Sequence, residues 1–378
     1  MYPDASLLAE LGLAEEVGDL APVFEAFFAD ANDRGGIAGH EIQLEMVQFD
    51  LLVDGDDTRA CLTATQDLDA FLVIGTGGVF GDPVLCVAEQ NETLMIQDDG
   101  SPDEFYDRAE GRLFTITPSK AKTQLAILTA FEDELRAAPF AVFSGLDTGG
   151  DHDTVESVLL PALADAGLEP AVTIVLDSDS EIASSQIPIE VGEVEAAGIE
   201  TIVSTTNFVF TSPFASALEA AGVDVVWVGS DAAGFANDLY ASQMDPAQLD
   251  GARAVTVRTL GWDNAGLDEP EGQAACRARA GELLGTEIGI DSVDLGGVNY
   301  ACNFSNLLVA AGELVEGPLT TESMAAALRS VSSIDLANYG PAGFDGGQTA
   351  AGHGREIQWS ADCACWSAVG EFEPLAAE

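Results

Sequence analysis

Lysine is nearly absent from this chain of 378 residues: it occurs only at Lys120 and Lys122. Lysine and arginine together number 13 against 65 aspartates and glutamates, a formal net charge of −52. Such a surface repels phosphate backbones and anionic lipid, which argues against nucleic acid and membrane surfaces as partners. No run is long and apolar enough to span a bilayer. The longest uncharged stretches, around Thr201–Leu218 and Leu295–Gly312, are full of Thr, Ser, Asn and Gly. Met1–Leu11 carries acids and no basic n-region, so no secretory signal is read there. Histidine occurs only at His40, His152 and His353. The sequence holds no H-E-x-x-H, G-x-S-x-G or Walker A motif, which removes the commonest signatures of zinc hydrolysis, serine acyl transfer and nucleotide triphosphate binding. No catalytic constellation and no cofactor are expected.

What is present is a foldable chain. It is 47% hydrophobic with mean hydropathy +0.17, enough to bury a sizeable core, and its length suggests two domains. The acids are dispersed and interrupted everywhere by apolar periodic segments, unlike a disordered acidic tail. Two readings of the charge stand open. One is a heavily solvated surface; the other is salt adaptation, with carboxylates that repel one another until counterions screen them.

Six cysteines, an even count without zinc spacing, suit an oxidising compartment. Six buried thiols are the alternative, since free cysteine is often buried. The expected pairs are Cys276–Cys302 and Cys61–Cys86, each linking two helices that flank a connection. Closing a loop of about 25 residues adds roughly 3 kcal/mol. Cys363 and Cys365 are too close for an easy local disulfide and are left unassigned.

Helix and strand alternate along the chain. Helices are expected at Leu7–Asn32, Thr58–Leu68, Pro83–Gln90, Lys120–Ala137, Asp153–Ala166, Ile187–Ala197 and Pro213–Ala221. Strands are expected at Glu41–Phe49, Ala70–Ile74, Thr93–Gln97, Phe114–Pro118, Phe140–Ser144, Ala171–Leu176, Thr201–Ser204, Val225–Val228 and Ala252–Thr259. This rhythm implies an α/β fold with parallel-rich sheets covered by helices. Right-handed crossovers place every strand-to-helix loop on one edge, and ligands bind there, outside the strand carboxyl ends.

At Ala29–Leu44 the sequence reads ADANDRGGIAGHEIQL: a helix ending in Asn, a Gly-Gly-Ile turn, Gly, then an alternating strand. This resembles the signature of type I periplasmic binding proteins of the branched-chain amino-acid-binding branch. Later segments fall in that family's order: Thr115–Gln124 (TITPSKAKTQ), Leu249–Val257 (LDGARAVTV) and Gly317–Phe344. The resemblance implies two Rossmann-like lobes with three crossings between them. The N-terminal lobe would hold residues 1–118 and 262–329, the other 119–261 and 330–378. It further implies a non-enzymatic extracytoplasmic solute-binding protein of an ABC importer, periplasmic or a cell-surface lipoprotein, with a transporter permease as partner and itself a monomer. The ligand would be a small polar, amino-acid-like solute, an amino acid, amide or similar, held in the inter-lobe cleft. A ligand-sensing receptor domain of the same fold is the alternative. Family members begin with a strand inside the first sheet, whereas Met1-Tyr2-Pro3 starts at or just after that strand's end.

The ligand-binding candidates follow from loops at strand ends. From the first lobe they are Thr76, Gly77 and Gly78, read as a cradle of backbone N–H groups at a helix N-terminus, with Asp99 and Gly100. Gly75-Thr76-Gly77-Gly78 lacks the third spaced glycine of a dinucleotide loop, since position 80 is Phe80. From the second lobe they are Asp147, Thr148, Asn207, Phe208 and Asp231. The first set suits a carboxylate; an acid from the facing lobe suits an ammonium, and the resemblance puts Asp231 near where the amine-binding acid is found. Phe208, Phe210 and Trp227 either wall a pocket or belong to the core. His152 among Asp147, Asp151 and Asp153 is read as a solvated acidic loop rather than a metal site.

Overall fold

The computed structural model describes residues 1–4, 19–51, 53, 55–146, 150–231, 235–241 and 244–375. The chain forms two compact units, Met1–Pro118 with Glu269–Gly352 and Ser119–Asp268 with His353–Glu378, and passes from one to the other three times.

The first unit is built on short parallel strands. β1 (Tyr2–Pro3) pairs in parallel with β2 (Gln48–Phe49), and β3 (Leu72–Gly75), β4 (Leu94–Gln97) and β5 (Leu113–Thr115) form a parallel sheet in that order. The amide of Tyr2 donates to the Val47 carbonyl at 3.1 Å and that of Thr76 to the Met1 carbonyl at 3.2 Å, so the opening residues bridge β2 and β3. The strand expected over Glu41–Phe49 is regular only at Gln48–Phe49. Alternation supplies a face but not a neighbour. Residues 41–47 border a cavity of about 470 Å³ that Leu72 and Ile74 also line.

Disulfides fasten the flanking helices of this unit. Helix Asp56–Leu62 continues into a π-helical turn at Thr63–Asp67, and helix Asp82–Leu85 into another at Cys86–Gln90. Cys61 is bonded to Cys86 across them, with Cα atoms 6.3 Å apart. Cys276 on helix Glu271–Leu284 is bonded to Cys302 on helix Leu295–Glu313, Cα atoms 5.8 Å apart. The expected helix over Leu7–Asn32 begins, within the described residues, at Leu20 and ends at Asp33, with Asp19 accepting the Ala21 amide as its cap.

Two boundaries differ from the sequence reading. Residues 330–352 pack with the first unit, because Thr115 donates to Gln348 at 2.9 Å and accepts from Ala350 at 3.0 Å, while Ala351 donates to Ile116 at 2.8 Å. Residues 262–268 stay with the second unit, where Asn264 Nδ2 donates to the Trp366 carbonyl at 2.8 Å.

The second unit carries a seven-stranded sheet. β6 (Phe140–Gly145), β7 (Val172–Leu176), β8 (Thr201–Ser204), β9 (Val226–Ser230) and β10 (Arg253–Thr256) run parallel; β11 (His353–Ser360) and β12 (Cys365–Pro374) add antiparallel edges, in the order β12-β11-β10-β9-β8-β6-β7. The parallel strands are short apolar runs, as strands covered on both faces should be. Helix Lys120–Ala137 leads into β6, helix Ser180–Ala197 connects β7 to β8, and Phe208–Ala221 connects β8 to β9. Asp179 caps the second by accepting from Glu181 and Ile182, and Asn207 caps the third by accepting from Val209.

Besides a largely aliphatic cluster around Ile127, Val142, Leu159 and Val203, the core of this unit holds a chain of aromatic rings. Phe143 stacks on Phe214 at 4.8 Å, Trp227 meets both edge-on, and Phe235 joins Trp227 to Trp366, which packs against Trp359 at 5.5 Å. Both edge tryptophans satisfy their indole N–H, Trp359 on Pro246 and Trp366 on Phe235, each at 3.1 Å. Trp227 therefore belongs to the core, not to a pocket wall. Phe210 does too: a Cβ at Gly145 would lie 2.6 Å from its ring.

Candidate functional site

In the first unit the candidate residues lie in the loops after β3 and β4. These strands are hydrogen-bonded neighbours, so their carboxyl-end loops meet. The Gly78 amide donates to Asp99 Oδ2 at 3.1 Å, which brings Thr76–Gly78 and Asp99–Gly100 together. The loop is not a helix N-terminus, however. Val79 donates back to Thr76 to close a turn, and the next helix starts only at Asp82, after Gly81 at φ +74°. The anion-receiving amides are thus those of a turn, and one of them already faces a carboxylate of the same unit.

Two glycines of this site answer to close packing. A Cβ on Gly77 would lie 2.8 Å from the Tyr300 hydroxyl, and one on Gly100 would lie 1.8 Å from the Pro118 carbonyl oxygen. Gly100 thereby serves the passage of the chain rather than offering a free surface. Asp98, beside Asp99, is buried and accepts from the Tyr339 hydroxyl, while its carbonyl accepts from Thr117 through both N–H and hydroxyl. Gln97 donates to the Asp99 carbonyl at 2.6 Å and to Ser101 Oγ at 3.0 Å. Tyr106 receives the Ser101 amide at 3.2 Å and shares a hydrogen bond with Thr115 at 2.7 Å. This network fixes the β4 loop from beneath. Gln97, Ser101 and Tyr106 flank the Asp99–Gly100 loop in the chain, whereas Tyr300 comes from helix Leu295–Glu313; none was named from the sequence, because a buried polar side chain beneath a loop leaves no periodic or motif signal.

In the second unit the candidates cluster after β8 and β9, again neighbours in one sheet. Asp231 is held by the end of β10 and the residue after it: Oδ1 accepts from Thr256 Oγ1 and Oδ2 from the Val257 amide, both at 2.6 Å. Two such donors fix the orientation of the carboxylate. Thr256 is itself fixed by the Arg258 amide at 2.9 Å. Asn207 Oδ1 is taken up by the Val209 amide at 3.0 Å, so its cap role is local; Phe208 opens the helix and is buried. The hydroxyls of Ser204, Thr206 and Ser230, at the ends of the same two strands, are buried with no hydrogen-bond partner among the described residues. A buried polar atom without a protein partner marks where water or a ligand completes the structure. Asp147 and Thr148 lie outside the described residues.

The acidic loop around His152 is a correction. Asp151 is buried and ion-paired with Lys120, one of the two lysines, and its carbonyl accepts from Gln124 at 3.1 Å. His152 Nδ1 is 3.0 Å from Ser144 Oγ. Burial and pairing account for Asp151 and His152, whereas Asp153 is exposed, in keeping with the solvated loop expected there. Among the described residues no group of three or more His, Cys, Asp or Glu side chains is placed to hold a metal ion.

Residues 12–357 match the model of the periplasmic binding protein family. No curated protein matches the chain. Solved structures share the fold. A branched-chain amino acid ABC transporter protein from Thermus thermophilus with bound valine superposes with a TM-score of 0.70 at 15% identity, covering 94% of this chain and 92% of that one. The leucine binding protein LivK from Thermotoga maritima gives 0.68 at 13% identity, covering 99% and 97%. The branched-chain amino acid transporter substrate binding protein LivJ from Streptococcus pneumoniae, in complex with isoleucine, gives 0.65 at 13% identity, covering 94% and 97%. With the family model matched over most of its length and the mixed α/β architecture in place, the chain belongs to the periplasmic binding protein family.

Proposed function

We propose that this protein is the extracytoplasmic solute-binding component of an ABC importer, that it takes up a small, polar, amino-acid-like solute, and that it leaves the solute chemically unchanged. Its partner is a transporter permease, and it works as a monomer. The observation that carries the reading is the second unit's strand-end cluster. Asp231 is oriented by Thr256 and Val257 and follows β9, whose Ser230 hydroxyl, like that of Ser204 at the end of the neighbouring β8, has no partner among the described residues. A fixed carboxylate beside unsatisfied hydroxyls suits an ammonium and its neighbouring hydrogen-bonding atoms. Within the first unit the turn at Thr76–Gly78 carries amide donors beside Asp99, groups of the kind that receive a carboxylate. Family membership and the valine-, leucine- and isoleucine-related names of its structural neighbours support an amino-acid-like solute.

The test is a thermal-shift screen of amino acids, amides and small carboxylates, repeated on Asp231→Ala and Thr76→Ala. The expected result is a solute that raises the melting temperature of the parent and binds both variants at least tenfold more weakly. Losses within about threefold, or ~0.7 kcal/mol, in both variants would show that these residues do not hold it. A screen in which no amino acid or amide shifts the melting point would overturn the solute class.

A further inference from the structure

The disulfides of this protein divide by location. Cys61–Cys86 lies within the apolar core of the first unit, and both its residues are buried. Cys276–Cys302 is also buried at both residues, although it borders a cavity of about 510 Å³. The pairing that the sequence left open, Cys363–Cys365, is of another kind. It sits at the tip of the β11–β12 hairpin, joining Cys363 in the turn to Cys365, which pairs with Ser360 in the last rung of the ladder. Cys363 is exposed and Cys365 half-buried. The ring it closes contains one intervening residue, Ala364, whose φ of +50° places a Cβ-bearing residue in the left-handed region. The charge around it is negative: Asp362 stands exposed within the turn, and the Ala361 amide is held by the Asp250 carboxylate at 3.1 Å.

These features have chemical consequences. Exchange at a disulfide needs a thiolate to reach a sulfur, so access sets the rate. A bond that spans one residue constrains the unfolded chain least. The strand pairing of Trp359 with Trp366 and of Gln358 with Ser367 lies below the tip and does not depend on it.

We infer that Cys363–Cys365 is a thiol–disulfide exchange site that reacts with small cationic thiols in preference to anionic ones, while the other two disulfides stay closed. The thiolate of the incoming molecule attacks Sγ of Cys363. The Cys363–Cys365 bond breaks, its electron pair leaves on Cys365 as a thiolate, and that thiolate takes a proton from water. The product is a mixed disulfide on Cys363. A second thiolate attacks the incoming sulfur of that mixed disulfide and releases Cys363 as a thiol. In sum two thiols are oxidised to a free disulfide and the hairpin tip gains two electrons and two protons. The acidic surface selects the reagent: an aminothiol is attracted and a carboxylate-bearing thiol repelled, an effect that salt screens.

The experiment exposes the intact, folded protein to equal concentrations of cysteamine or glutathione. Free thiols are trapped with iodoacetamide over time and located by peptide mass mapping. The expected result is labelling of Cys363 and Cys365 at least tenfold faster than of the other four cysteines, and at least threefold faster with cysteamine than with glutathione at low salt. Molar KCl should remove the second difference. First opening of Cys276–Cys302, or simultaneous opening of all three bonds, overturns the assignment. Equal rates with the two thiols at low salt overturn the charge selection. In a C363S/C365S double variant the fast phase should vanish while the slow labelling of the remaining cysteines is unchanged; a surviving fast phase again contradicts the proposal.

Discussion

The two units solve the same packing problem with different means. The second has seven strands in one sheet and an unbroken run of aromatic rings from Phe214 to Trp359 through its core. The first has a three-stranded sheet, a two-residue ladder at Tyr2–Pro3, and a cavity of about 470 Å³ beside Glu41–Met46, which pairs with no strand among the described residues. Both buried disulfides lie in this first unit, whereas the second unit's only disulfide is on an exposed tip. Where sheet and rings are plentiful, packing suffices; where the sheet is thin, covalent bonds tie the helices. A large continuous core makes each of its members expensive to lose, and a staple acts mainly on the unfolded chain.

The comparison predicts a graded set of losses. Trp227→Ala, at the centre of the ring chain, should cost about 3–5 kcal/mol in denaturant unfolding. A loss under about 1 kcal/mol would mean that the second unit does not rely on its rings. Removing the Cys61–Cys86 bond by a double substitution to alanine should cost roughly 3 kcal/mol, and removing Cys363–Cys365 less than half of that, because the loop it closes is minimal. Equal costs for the two would erase the distinction between stapled interior and labile tip.

A smaller and more general effect concerns the acid. With 65 carboxylates against 13 basic groups, the melting temperature should rise as KCl goes from low to molar concentration, since counterions relieve self-repulsion. An unchanged melting temperature would leave the acid as ordinary solubilising surface. The smallest effect is local. The Arg59 guanidinium beside Asp56, together with the Asp50 amide, holds the Asp56 carboxyl down at about 2 from an ordinary 3.8. A depressed carboxyl stabilises the fold above its unfolded value, and that contribution fades as pH falls from about 4 through 2. NMR titration of Asp56 with a midpoint near 4 would remove the contact from the account.

Much of the second unit could be read directly. Short apolar runs such as Phe140–Gly145, Thr201–Ser204 and Val226–Ser230 are strands within a residue or two of expectation, because burial on both faces leaves a plain compositional mark. Less of the first unit could. Glu41–Phe49 has the alternation of a strand, yet strand pairing depends on a neighbour that alternation cannot reveal. The site was partly legible. The candidates Thr76–Gly78 and Asp99 in the first unit and Asp231 in the second do lie in loops at strand ends, since parallel topology puts such loops on one edge of each sheet. What holds those residues was not: Thr256 and Val257 reach Asp231 from the next strand, and Tyr300 approaches Gly77 from a helix more than 200 positions away. The helix after Thr76–Gly78 starts at Asp82, within a residue of the expected Pro83; what was misread is the loop, which glycine lets form a free turn instead of the helix N-terminus, with Gly81 making the entry.

The central claim, that the protein captures a solute and does nothing else to it, is tested most directly by equilibrium binding with recovery of the ligand. The parent protein and Asp231→Ala are titrated calorimetrically with the solute found by thermal shift, and the bound solute is released and identified by mass spectrometry. The account predicts one solute per chain, recovered with its mass unchanged after prolonged incubation, and binding at least tenfold weaker in the variant. A solute recovered in altered form, or bound equally well once Asp231 is gone, would contradict it.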